Sequence, residues 1–144
     1  MDQSAKLVLA GNSLKEINEK LDEYLLSSIA GETSRRKTKN ILAATWAKSL
    51  PFEVAYKQQA AKLFANADKQ ERLVIHFGMS VATYPFFMTL SKILGRLFKL
   101  QHEVSNAEFY RRVIETVGDR DSIKRAAARY VQSLVEWGLL ESSG

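Results

Sequence analysis

Between residues 105 and 140 the sequence sets cations and an amide where they can grip a polyanion. Lys124, Arg125, Arg129 and Gln132, with Ala128 among them, fall on one face of a helix that the periodicity predicts from about Asp121 to Trp137. Ile123, Ala127, Tyr130, Val131 and Leu134 fall on another face and are expected to pack. Guanidinium groups and carboxamides bond phosphate oxygens and the base edges of a DNA major groove. Arg111 and Arg112 add two cations on the preceding helix.

A second basic group, Arg35, Arg36, Lys37 and Lys39, crowds the first turns of another predicted helix. Cations there oppose the helix dipole, at a cost of some tenths of a kcal/mol each, roughly. A nearby phosphate would reverse that sign, because helix N-termini and cations both attract anions. Both groups also admit a plainer reading as solvated faces. Glu32 or the acidic residues Glu16, Glu19, Asp22 and Glu23 can relieve the first group. Asp121 can pair with Lys124 or Arg125, and Glu108 and Glu115 with Arg111 and Arg112.

The elements that must hold these residues are helical throughout. Two prolines and seven glycines in 144 residues, with no alternating β-branched runs, point to an all-α chain. Ser105-Asn106-Ala107-Glu108 reads as a capping box opening a helix with Phe109, Val113, Ile114 and Val117 inward and Gly118 as its stop. Ser13-Leu14-Lys15-Glu16 is a second box, opening a helix with Leu14, Ile17, Leu21 and Leu25 inward. A short helix, Ser4 to Ala10, precedes it. Thr33 or Ser34 is expected to cap a helix reaching Ser49, with Ile41, Leu42, Thr45 and Trp46 inward.

Pro51 is expected to start the next helix, whose buried side is Phe52, Val54, Ala55, Ala60, Leu63 and Phe64. Asp68 can cap one carrying Leu73, Val74, Phe77 and Met79. Tyr84-Pro85 interrupts the pattern, and Pro85 opens an apolar helix with Phe87, Leu90, Ile93, Leu94, Leu97 and Phe98. The expected organisation is a compact multi-helix fold with helix-turn-helix or winged-helix-like units at both ends. An N-terminal subdomain would span 1–67 and a C-terminal one 68–144, with the region 82–85 a second place for the boundary.

Net charge +5 favours an anionic partner without requiring one. The chain has no cysteine, which removes disulfides, thiolate metal sites and cysteine nucleophiles. His76 and His102 are the only histidines and lie far apart; His76 sits in an apolar run and reads as a core side chain. Gly78 and Gly95 are isolated, so no phosphate loop is formed. Trp46 and Trp137 read as core anchors. No catalytic residue, metal ligand or cofactor is expected, nor a membrane partner, and the expected location is the cytoplasm.

The order Thr33-Ser34-Arg35-Arg36-Lys37, Ala82-Thr83-Tyr84-Pro85-Phe86-Phe87 and a final Arg-rich helix closing on Trp137-Gly138-Leu139-Leu140 resembles the BrxA family. These are small helical proteins of bacterial BREX phage-defence loci, and the similarity runs from about Leu14. The resemblance implies a two-part helical protein with winged-helix-like units that binds double-stranded DNA beside other defence proteins. An RNA partner, or a protein-binding adaptor role with Tyr84, Phe86 or Phe109 at the interface, is the alternative.

Overall fold

Side-chain caps start the helices that the sequence marks most clearly. In the computed structural model, which describes residues 1–50 and 53–143, Ser13 Oγ accepts the Glu16 N–H at 3.3 Å and Glu16 Oε2 accepts the Ser13 N–H at 2.7 Å. Asp68 Oδ1 accepts the Glu71 N–H at 2.9 Å, and Glu71 Oε2 accepts the Asp68 N–H at 2.9 Å. Eight helices and no strand occur among the described residues. They are α1 (Asp2–Leu9), α2 (Leu14–Leu26), α3 (Glu32–Trp46), α4 (Val54–Asn66), α5 (Lys69–Thr83), α6 (Pro85–Phe98), α7 (Asn106–Val117) and α8 (Asp121–Glu136). Pro51 and Phe52, expected to open and pack α4, lie outside the described residues.

The chain divides into two compact units, Met1–Thr83 (α1–α5) and Tyr84 onward (α6–α8). The division falls at 83/84, within the region 82–85 that the sequence offers as the second place for it, rather than at 67/68. Helix α5 stays with the first unit because it packs on α3 and α4 and sends His76 and Met79 into the same core as Trp46 and Phe64. The break comes where Pro85 holds the preceding Tyr84 extended, at φ −118° and ψ 104°.

In the first unit Ala5, Trp46, Ala61, Phe64 and Met79 form one buried cluster, and Leu7, Ile17 and Leu21 another. A polar chain runs through the first of these. Trp46 Nε1–H donates to His76 Nδ1 at 3.2 Å; indole only donates, so Nδ1 carries no proton. The proton of this neutral imidazole is therefore on Nε2, which donates to Asp2 Oδ1 at 2.6 Å and ties α1 to α3 and α5. Arg72 reaches Asp2 Oδ2 at 3.4 Å and lies 4.7 Å from the Phe64 ring centroid. Burial holds the His76 pKa below the ordinary imidazole value, although the Asp2 bond pulls the other way. Burial raises the Asp2 carboxyl, but His76, Arg72 and the terminal amine outweigh it and leave its pKa lowered.

Lys57 is buried too. Its Nζ donates to Ala44 O at 2.9 Å and to Lys48 O, closing the carbonyl end of α3 from the neighbouring α4. Glu53 stands 3.8 Å away, yet burial prevails and lowers the ammonium pKa.

In the second unit α7 and α8 pack on each other and on α6. Phe109, Val113, Ala127, Tyr130 and Leu134 are buried, with Leu90, Ile93, Leu94 and Leu97 from α6. Tyr130 packs edge-on against Phe87 at 4.8 Å and stacks with Phe109 at 6.1 Å, and its hydroxyl donates to Ser91 Oγ at 3.0 Å. Gly118 ends α7 at φ +93°, a conformation that side chains disfavour. Three residues later α8 begins.

Several expectations are corrected. Neither Thr33 nor Ser34 caps α3: Gly31 is its N-cap, no side chain bonds there, and the helix ends at Trp46. Ser105 Oγ does accept the Glu108 N–H at 3.2 Å, but Glu108 accepts from Gln101 Nε2 at 2.8 Å instead of completing the box. Leu14, Ile41, Val54, Leu63, Val74 and Phe98 face outward, because each helix buries one stripe and these lie beside it. Trp137, expected as a core anchor, is half-buried.

Candidate nucleic-acid interface

Positions 123, 127, 130 and 134 bury one face of α8 and leave Lys124, Arg125, Ala128, Arg129 and Gln132 exposed on the opposite side. Arg125 and Arg129 stand one turn apart, and neither has an ion-pair partner among the described residues. Between them Ala128 presents only a methyl group, so a flat or grooved partner can approach the helix closely. Lys124 Nζ pairs with Asp119 Oδ1 at 2.8 Å rather than with Asp121, and that bond raises its pKa. Gln132 donates to Glu136 Oε1 at 2.9 Å. On α7, Arg112 pairs with Glu115 at 3.1 Å, as its spacing allows, whereas Arg111 is exposed with no ion-pair partner among the described residues.

The α3 group is arranged differently. Arg35 Nε and Lys39 Nζ both hold Asp22 Oδ1, at 3.3 and 3.2 Å, and Arg35 Nη1 also donates to the carbonyls of Ile29 and Ala30. Asp22 is one of the acidic residues on α2 that the sequence offered as relief. Lys39 and then Arg35 hold its carboxyl below the usual range. The Arg35 side chain is only 13% exposed, so this cation is packed into the α2–α3 contact. Arg36 and Lys37 point outward with no ion pair among the described residues.

The ten expected site residues thus separate by use. Arg35, Lys39, Arg112, Lys124 and Gln132 are engaged within the chain, while Arg36, Lys37, Arg111, Arg125 and Arg129 are open. The two basic groups lie in different units. Among the described residues no cluster of three or more His, Asp or Glu side chains could hold a metal ion. No single described helix is long and apolar enough to cross a membrane. A feature that the sequence reading missed is an apolar groove of about 840 Å³ between α4 and α5, in which Leu63 and Val74 lie bare. Comparison with protein-family models, curated proteins and solved structures finds no match to this chain.

Proposed function

We propose that this chain binds duplex DNA without catalysing a reaction, using α7, the three-residue turn and α8 as a helix-turn-helix. The single observation that carries the reading is the exposed, carboxylate-free pair Arg125 and Arg129 flanking Ala128. A 16-residue helix is about 24 Å long and fits the major groove, which is about 12 Å wide. Arg111 on α7 then meets the phosphate backbone; in the first unit, taken by itself, Arg36 and Lys37 are cations open to phosphate. Lys124 and Gln132 join after exchanging Asp119 and Glu136 for the polyanion. On the resemblance to BrxA proteins, the role is that of a cytoplasmic component of an anti-phage system, alongside other defence proteins.

Fluorescence anisotropy with labelled duplex DNA, single-stranded DNA and RNA tests this reading. The expected order is duplex first, with Arg125→Ala/Arg129→Ala weakening it by about tenfold or more while far-UV circular dichroism stays unchanged. An unaltered titration for that variant, or a clear preference for RNA, overturns it.

The adaptor reading keeps one supporting observation, the bare apolar groove on the first unit. Its earlier candidate Phe109 is buried at 1% exposure and cannot be an interface residue.

A further inference from the structure

Helices α4 and α5 are joined by only Ala67 and Asp68 and pack on each other, and among the described residues an apolar groove stays open between them. On α4 its lining is Gln59, Lys62, Leu63 and Asn66; on α5 it is Glu71 and Val74, with Ile75 packed partly against the core of the same unit. The α4 residues follow the i, i+3, i+4, i+7 spacing of a helix face built to pack, and the α5 residues its i, i+3, i+4 part. Leu63 is 65% and Val74 63% exposed, so the apolar centre of the seam is open.

The charges on the rim indicate which helix. Lys62 has no ion-pair partner among the described residues, and Glu71 uses Oε2 alone, on the Asp68 N–H. Counted from the connection at 1.5 Å per residue, the two stand within about 3 Å of the same height on facing helices. A partner bearing one sign of charge would be attracted by one rim and repelled by the other. A second copy related by a two-fold axis along the groove lays its α4 over this α5 and its α5 over this α4. Lys62 then meets Glu71 of the partner subunit twice, and the four helices close as an antiparallel bundle over Leu63 and Val74.

We infer that the α4–α5 groove is the docking face of a second copy of this chain, an isologous interface centred on Leu63 and Val74 and oriented by paired Lys62–Glu71 contacts. It is independent of the DNA-binding reading, since it uses none of that reading's residues.

Sedimentation equilibrium on the full chain, from micromolar to submillimolar, tests it. The wild type is expected to rise from monomer mass to dimer mass. Leu63→Glu is expected to weaken association by about tenfold or more with helicity unchanged. Lys62→Glu and Glu71→Lys should each self-associate poorly, yet dimerise when mixed, because both cross-pairs are then attractive. A wild type that stays monomeric throughout overturns the inference, as does a dimer indifferent to Leu63→Glu. Single charge variants that dimerise as well alone as mixed overturn the two-fold pairing, and capture of a different protein in place of a second copy overturns the choice of occupant.

Discussion

Two basic helices of similar composition are put to opposite uses. On α3, Arg35 and Lys39 converge on Asp22 of α2, so cations clustered in sequence become fasteners between helices. On α8, Arg125 and Arg129 have no acidic neighbour in ion-pair reach among the described residues and remain available. The difference arises in the packing partner. Helix α2 brings its carboxylate against α3, whereas the elements packed on α8, α6 and α7, meet its apolar face. Charge density along a chain therefore does not identify a binding surface; the carboxylates that tertiary structure delivers decide it.

If inward use of cations stabilises the first unit, removing them should cost stability in proportion to burial. The largest loss is expected for Lys57→Met, which strands the carbonyls of Ala44 and Lys48; about 3 kcal/mol is the scale for such buried acceptors, measured by urea unfolding. Retained stability would show that the end of α3 finds other partners.

Acid should act next, and on this unit. His76 is held neutral with a lowered pKa, so the unfolded chain takes its proton first as pH falls below about 6.5. Stability from this group is complete above that value and lost progressively below it. Asp2, also lowered, contributes above about pH 3.9 and loses its contribution as pH drops through its folded value. Both signs agree. Thermal melting followed by Trp46 fluorescence in a Trp137→Phe background should fall on acidification, and a pH-independent melt between pH 7 and about 5 would contradict the His76 assignment.

Smaller effects sharpen the contrast. Arg35→Ala should cost about 1 kcal/mol through its lost carbonyl and Asp22 contacts, read as a lower melting temperature. The smallest effect expected is about a twofold gain in duplex affinity for Asp119→Asn, which frees Lys124. A weaker complex would mean that Lys124 does not face the ligand.

Much of the architecture was legible because it is written locally. The Ser13–Glu16 box, the Asp68 cap, the Pro85 start and the stripes of α7 and α8 each follow from residues within a few positions of one another. The site was legible only as a set of candidates. Arg35 and Asp22 are 13 positions apart, and their meeting depends on how α2 lies on α3, which no local pattern encodes. Leu63 and Val74 misled for a related reason: α4 and α5 carry apolar residues on more than one face, and tertiary packing chose Phe64 and Met79 for the core.

The most direct test of the account is the salt dependence of duplex binding for two double variants. Each phosphate contact contributes about 0.9 to the slope of log affinity against log salt, so Arg125→Ala/Arg129→Ala should flatten it by about 2. Arg35→Ala/Lys39→Ala, which removes cations already spent on Asp22, should leave the slope as in the wild type. The opposite pattern, with the α3 pair flattening the slope and the α8 pair leaving it untouched, would contradict the account.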